Sequence, residues 1–444
     1  MQERVLRAGK GQALRKIVFI GNCQAGALAD VYRSCIAPCT EDFVSQIFAY
    51  GEEQIDTAAR ALLDAADVIV GQVFDYEQVP DPENIGPHVL LIRFPWVAAH
   101  FLWPSYNEAH PRNQAYWYLP SGPWPAQLGD SFLNRMIAEG VGAAEAAERY
   151  LRLDIASAAR LERRYELIMD AQRLRDERSG TETADFIERH FRDEPLFVSP
   201  DHPGLSLFLH LARQVYAKLG ATAAALARVE TMVRKTPFPA DELPIHPGVA
   251  RHFGLRFWRE DTRYRHLRSG RFTAEEYYRR YMAYEWDEMI HEGLALLDSG
   301  RKAEGYDMLG KGLGRAPHHV LGLARFGHLL IERGQLVEAE AVAWRAAAID
   351  ASEPDSHAAL GHLFAALKRH QEAAAAFRKA LALEAGDASV WMALSFVLDR
   401  LGRTEEALAA AREAIRLNPF EPGWGEHVER LGRRIGSPGL APAV

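Results

Sequence analysis

KIVFIGNCQ, running from Lys16 to Gln24, decides the fold of the first half of the chain. Its opening, Lys16 to Gly21, is a short apolar run rich in β-branched residues and ended by glycine, which suits a buried strand. A helix should follow, and Ala25 to Tyr32 supplies it. Two further runs repeat the pattern: Ala66 to Val73 (ADVIVGQV), after a helical stretch from about Glu52 to Leu63, and His88 to Arg93 (HVLLIR). Strands apolar on both faces, alternating with helices, predict an α/β domain built on a parallel, Rossmann-like sheet. Ligands of such sheets collect beyond the carboxyl ends of the strands. Gly21-Asn22-Cys23-Gln24, Gly71-Gln72 and Arg93-Phe94-Pro95 are therefore expected to converge on one crevice.

Within that crevice the Gly-Asn-Cys-Gln turn is the most informative stretch. A cysteine at a strand-to-helix junction lies against helix N-terminal amides, which favour the thiolate and lower its pKa. The same amides, with the side chains of Asn22 and Gln24, are suited to donate to an oxyanion or a phosphate. The plainer reading makes Cys23 a small buried residue in a tight turn. Further along, Pro200-Asp201-His202-Pro203 follows a short apolar stretch, Leu196 to Val198, and precedes an amphipathic helix from Leu205 to Leu219. A histidine fixed between prolines beside a carboxylate suits a general base for Cys23 or for a substrate hydroxyl, with Asp201 as its orienting partner. The alternative for His202 is a loop cap. His246, in the second His-Pro pair, reads as a structural turn.

Repeats govern the last third. Gly300, Gly334 and Gly402 are separated by 34 and 68 residues, and each falls where a tight turn between two helices needs a residue without a Cβ. Lys368 takes that slot in the remaining repeat, where the turn is expected to shift by a residue or two. Ala339, Ala373 and Ala407, and likewise Ala346, Ala380 and Ala414, recur at the same step. Leu296, Leu330, Phe364 and Leu398 keep it on the first helices, and Pro317 and Pro419 close the first and last repeats. These residues resemble the tetratricopeptide pattern over roughly four repeats and predict an all-α solenoid with a concave binding face. His328, Arg325, His357, His362 and Trp391 lie on or near its first helices, either as ligand contacts or as packing residues. Gly305 and Gly312 replace alanines, so the first repeat reads as degenerate. Gly423 to Arg434 reads as a capping helix.

Composition excludes some classes. With 444 residues the chain is long enough for two or three domains, and a formal net charge of -8 leaves no excess of cations for an extended nucleic-acid surface. Cys23, Cys35 and Cys39 are an odd and sparse set, not a disulfide framework, and no neighbouring His or Cys completes a metal site around Cys35 and Cys39. The start lacks a signal-peptide core, and no apolar run nears the roughly 18 residues a membrane span needs. The expectation is a cytoplasmic protein without a membrane span, peripheral at most to a membrane-bound complex.

Taken together, the strand-GNCQ turn at Gly21 to Gln24, Phe94-Pro95 with Phe101, Pro104 and Tyr106, the DHP at Asp201 to Pro203, the PIHP at Pro244 to Pro247 and FTAEEYYRRY at Phe272 to Tyr281 resemble the WcbI family of polysaccharide-biosynthesis proteins. The resemblance spans about Lys16 to Trp286. It implies coenzyme A binding in an α/β domain, as a cosubstrate rather than with a metal, and acetyl transfer to a sugar hydroxyl during bacterial capsule assembly. Under it Cys23, His202 and Asp201 become the reactive candidates, with Gly21, Asn22, Gln24, Gln72 and Phe94 around the donor. Arg93 and, in a helix expected from about Ala156 to Arg178, Arg163 and Arg164 are the candidates for its phosphates, although the arginine pair reads more simply as a solvated helix face. The turn also looks like the Gly-Asp-Ser turn of SGNH hydrolases, with Cys23 in the serine position. The appended repeats and the Trp/Pro-rich segment Tyr116 to Pro125 depart from the family pattern.

The expected layout is a tail over 1–15, the α/β domain over 16–284, the repeats with their cap over 285–436, and a disordered tail over 437–444. The leading expectation is an acetyltransferase with a saccharide acceptor and a protein partner on the repeats. A non-catalytic scaffold that senses coenzyme A or a glycan, and a thioesterase or esterase using the same residues, are the alternatives.

Overall fold

The computed structural model describes residues 15–75, 78–233, 237–238, 241–418 and 421–435. The expected tails up to residue 14 and over 437–444, and the Pro419 turn, lie outside the described residues. Two compact units are present. One takes the chain up to Arg112 with Trp124–Tyr264 and Thr273–Ala283; the other takes Asn113–Pro123, Arg265–Phe272 and the chain from Tyr284 on.

In the first unit, strands β1 (Lys16–Gly21), β2 (Phe43–Phe48), β3 (Val68–Val73) and β5 (Leu90–Pro95) form a parallel sheet in the order β2-β1-β3-β5. The short β4 (Gln78–Val79) pairs antiparallel with Gln72 and Val73, the two residues of β3 beyond the β1 register. Every residue of β3 is buried, as are all but the first of β1, the signature of central strands covered on both faces. β2 was not legible: as the edge strand it alternates exposed and half-buried positions and carries Ser45 and Gln46. The helix α1 (Cys23–Cys35) starts immediately after β1. Because β1 has β2 on one side and β3 on the other, the strand order reverses beside it, and the crevice opens at the carboxyl ends of β1 and β3.

Two expected helices differ in the structure. The stretch from Glu52 is a short 3₁₀ turn, and the helix proper, Thr57–Asp64, begins where the Asp56 carboxylate accepts from the Ala59 amide at 2.7 Å. The long helix expected from Ala156 breaks at Arg160, whose φ is 49°, into Ile155–Ala158 and Leu161–Ser179.

Four helix pairs build the second unit: Glu288–Asp298 with Lys302–Arg315, Val320–Glu332 with Leu336–Ile349, Pro354–Ala366 with His370–Leu383, and Ala388–Arg400 with Thr404–Leu417. The helix Trp424–Arg434 follows. Gly300, Gly334 and Gly402 have φ of 80°, 74° and 75°, and Lys368 in the same register has 59°. The turn at Lys368 therefore does not shift; a lysine simply occupies the left-handed position. Gly305 and Gly312 are not decay of the pattern. A Cβ on either would meet the Leu297 or Ile290 side chain at 2.7 or 2.6 Å, so the first pair packs more closely than alanine allows.

His357 and Trp391 are 34 residues apart and do the same work. Each ring N–H donates to a turn carbonyl six residues earlier, His357 Nε2 to Ala351 at 2.8 Å and Trp391 Nε1 to Ala385 at 2.8 Å. Arg325 pairs with Asp298 at 2.9 Å, and the His328 and His362 rings meet at 4.7 Å. Two segments read as part of the first domain pack here instead. Tyr116 lies 4.7 Å from Trp286, Arg268 pairs with Glu353 and Asp355, and the Ser269 carbonyl accepts the Val320 amide at 3.0 Å.

A left-handed conformation costs a residue with a Cβ about 1–2 kcal/mol, part of which glycine's larger unfolded-state entropy offsets. Lys368→Gly is expected to stabilise the repeats by about 0.5 kcal/mol, read as a higher urea midpoint by circular dichroism.

Candidate functional site

Asn22 caps α1: its Oδ1 accepts the Gln24 amide at 2.9 Å. The Asn22 amide in turn donates to Gln72 Oε1 at 2.8 Å. Gln72 Nε2 donates to Gln24 Oε1 at 3.2 Å, and that oxygen also accepts the Val97 amide at 3.1 Å. Gln24 Nε2 donates to the carbonyls of Val97 and Asp201, both at 2.8 Å. All four hydrogen-bonding positions of the Gln24 amide are thus consumed. Gln24 and Gln72 are 1% and 0% exposed, so they bind the protein to itself and offer a ligand nothing. This corrects the expectation that they line the crevice. Gly21 belongs to the same arrangement: its φ is 153°, and a Cβ there would stand 2.4 Å from Gln72 Oε1.

Behind this lattice Asp201 meets partners the sequence did not announce. Its Oδ1 accepts from His100 Nε2 at 2.7 Å, and its Oδ2 accepts from the Tyr106 hydroxyl at 2.6 Å. Burial pushes the Asp201 carboxyl up, but the His100 hydrogen bond and charge, the Tyr106 hydroxyl and the His202 charge outweigh it, and the pKa falls below the ordinary value. The carboxylate is therefore charged and accepts the hydrogen bond of Nε2–H, while His100 Nδ1 has no hydrogen-bond partner among the described residues. His202 is engaged elsewhere. Its Nδ1 lies 2.8 Å from Ser199 Oγ across the small hairpin Phe197–Ser199 and His202–Pro203, and its ring stacks on Phe238 at 5.2 Å. Burial lowers its pKa, against the opposing charge of Asp201. So Asp201 orients His100, not His202.

Cys23 is partly buried, and its thiol is close enough to Asp201, Tyr50 and Tyr106 for their charges to act on one another. Its pKa is raised to about 11, first by burial and then by the Asp201 carboxylate, against the backbone amides of Gln24 and Cys23. The expected thiolate is overturned: helix-start amides act on the sulfur, but desolvation beside a carboxylate wins. Among the described residues neither imidazole hydrogen-bonds the sulfur.

The remaining expected residues separate. Phe94 is 0% exposed and belongs to the core. Arg163 stands on an exposed helix face and pairs with Glu166 at 2.9 Å. Arg93 and Arg164 have no carboxylate partner among the described residues, and each holds a buried Nε without an acceptor; burial lowers the Arg164 pKa. His246 caps the helix Pro247–Phe253 through Gly248, as a turn residue does. His100, Tyr50 and Trp96 were missed. The available signal was the histidine shortly after the third strand in Phe94-Pro95-Trp-Val-Ala-Ala-His100.

An open parallel sheet with a polar cluster at its switch point, in a chain that goes on into paired helices, defines a Rossmann-like α/β domain followed by a helical-repeat solenoid. Residues 16–224 match the family described as polysaccharide biosynthesis enzyme WcbI, and residues 364–425 match the tetratricopeptide repeat. The N-terminal region is of the WcbI type, and the C-terminal region carries tetratricopeptide repeats. The family match ends before Pro244 to Pro247 and Phe272 to Tyr281. No curated protein matches the chain.

Among solved structures, the chain resembles WcbI, described as a novel polysaccharide biosynthesis enzyme in a native form without a disulfide between coenzyme A and a cysteine. The identity is 18%, covering 68% of this chain and 99% of that one, with a TM-score of 0.44. A thermophilic tetratricopeptide protein of Thermus thermophilus is 17% identical over 34% of this chain and 82% of its own, with a TM-score of 0.31. PilF of Pseudomonas aeruginosa is 20% identical over 34% and 68%, with a TM-score of 0.31. Among the described residues no helix is long and apolar enough to cross a membrane, and no group of three or more His, Cys, Asp or Glu is placed to hold a metal ion.

The thiol's elevation has a measurable sign. Alkylation of Cys23 by iodoacetamide is expected to be slow at pH 7 and to rise about tenfold per pH unit toward pH 11. Asp201→Asn removes a charge that raises the pKa, so its rate profile moves to lower pH; an unmoved profile would contradict the assigned cause.

Proposed function

We propose that the protein is a coenzyme A-dependent O-acetyltransferase acting on a sugar hydroxyl in bacterial polysaccharide biosynthesis. The observation that carries this reading is the charged Asp201 holding His100 with one ring nitrogen open, beside Cys23 at the carboxyl ends of a parallel sheet. The match of residues 16–224 to a polysaccharide-biosynthesis family supports a saccharide as the acceptor.

In this reading His100 Nδ1 takes the proton of the acceptor hydroxyl as its oxygen attacks the thioester carbonyl. The imidazolium that forms is stabilised by Asp201. The carbonyl oxygen becomes an oxyanion, and its collapse breaks the carbon–sulfur bond. Coenzyme A leaves, taking the proton back from His100, and the acetyl ester remains on the sugar. Of the helix-start amides, the Asn22 and Gln24 N–H groups already have acceptors, so the Cys23 N–H is the one turned toward the sulfur that is left for the oxyanion. Cys23 lines the pocket: with a pKa of about 11 it is almost entirely thiol at pH 7, which favours direct transfer over an acyl-cysteine. His202, neutral and pointing its Nε2 away from Ser199, borders the acceptor. Arg93 and Arg164, half-buried guanidiniums with no carboxylate partner among the described residues, are the groups for the donor's phosphates. The repeats hold a protein partner, which would bring this cytoplasmic chain to a membrane-bound assembly complex.

The test is release of the coenzyme A thiol from acetyl-coenzyme A with de-O-acetylated capsular polysaccharide. His100→Ala is expected to slow release by about 10²–10⁴-fold with coenzyme A affinity in calorimetry unchanged, whereas Cys23→Ser retains most of the rate. Full activity in His100→Ala, or equal release without polysaccharide, would overturn the reading, the latter in favour of a thioesterase.

A further inference from the structure

Six rings make an unbroken row from the edge of the sheet to Asp201. Phe48 meets Tyr50 at 5.2 Å, Tyr50 meets Phe74 at 5.9 Å, and Phe74 meets Trp96 at 6.1 Å. Trp96 meets His100 at 5.8 Å, and His100 meets Tyr106 at 5.2 Å. The row has a simple origin in the fold. Phe48 ends β2, Phe74 follows β3 and Trp96 follows β5, so the rings stand at the carboxyl ends of parallel strands, where the crevice is. None of the six is buried; Phe48 is 62% and Tyr50 50% exposed. Single exposed aromatics need no explanation, but a contiguous line of rings, two exposed and four half-buried, leaves apolar surface in water that folding would otherwise remove, and such patches mark binding sites.

We infer that this row is the bed on which the saccharide acceptor lies, its reacting hydroxyl delivered to His100 at the inner end. The inference rests on the acetyltransferase reading and adds to it the residues that hold the second substrate. Pyranose rings present C–H faces that pack on aromatic faces and hydroxyl edges that need water or donors. The row offers both: the exposed rings of Phe48 and Tyr50 at its outer end, and the Tyr50 hydroxyl and the His100 imidazole along it, the Tyr106 hydroxyl being held by Asp201 and the Trp96 ring carrying the Arg175 guanidinium at 5.2 Å. Its geometry disfavours a nucleobase as the occupant. Successive rings are turned by 89°, 44°, 48°, 88° and 81°, so no two neighbours lie parallel to sandwich a flat base, whereas a stepped surface suits linked, puckered sugar rings.

Phe48→Ala, Tyr50→Ala and the double variant test this, because both side chains are exposed and their loss leaves the melting temperature in place. In the acetyl-coenzyme A assay the double variant is expected to raise the acceptor KM about tenfold, with the calorimetric Kd for coenzyme A within about twofold of the unaltered protein. Saturation-transfer NMR with mannohexaose, cellohexaose and galactan fragments reads the same contact without turnover and should weaken in the variant. The inference is overturned if coenzyme A affinity falls while the acceptor KM stays, which would give the rings to the adenine. It is equally overturned if no saccharide shows transfer with the unaltered protein. Failure of the unaltered protein to bind coenzyme A would instead remove the acetyltransferase reading, and the NMR arm would still decide whether sugars lie on the row.

Discussion

One side-chain amide holds the site together. Gln24 makes four hydrogen bonds from a buried position, to β3 through Gln72, to both backbone groups of Val97 beyond β5, and to the carbonyl of Asp201. A buried amide that lost these partners would be left with unsatisfied polar groups in a low-dielectric interior, so the lattice is either complete or strongly destabilising. Complete, it fixes three segments against the start of α1. With its main chain held there, Asp201 turns its carboxylate to His100 and Tyr106 rather than to the histidine beside it in sequence.

The same enclosure sets the chemistry. Cys23 has the address of an activated nucleophile, at the first turn of a helix, yet its surroundings raise the thiol pKa. The benefit of a helix N-terminus is small and falls off within a turn, whereas burial next to a charged carboxylate penalises the thiolate directly. Asp201 thus acts in two opposite senses: it supports the imidazolium of His100 and suppresses the anion of Cys23. Proton abstraction by His100 and a passive thiol are two consequences of one charge.

In the repeat unit the governing constraint is the close approach of paired helices. Alanines at 339, 373 and 407 and at 346, 380 and 414 are all buried, and the glycines of the first pair tighten the contact further. The His357 and Trp391 clamps show that two residues with the look of ligand contacts serve the turns between repeats. The surface left to a partner is correspondingly smaller than the sequence suggested.

Local patterns told most of the architecture. Runs such as KIVFIG and VIVGQV read as buried strands because all their positions but Lys16 and Gln72 are apolar or glycine, and the 34-residue step reads as paired helices because its small and large residues recur in phase. The edge strand Phe43–Phe48 escaped, since half-exposed positions carry no continuous apolar signal. For the site, the sequence determined which turn opens the crevice and which carboxylate and cysteine stand in it. Only the tertiary structure decided that His100 pairs with Asp201 across 101 residues, that Gln24 and Gln72 are spent on the lattice, and that Cys23 stays protonated. The physical reason is that hydrogen-bond partners and desolvation are properties of the packed neighbourhood, and residues far apart in the chain supply it.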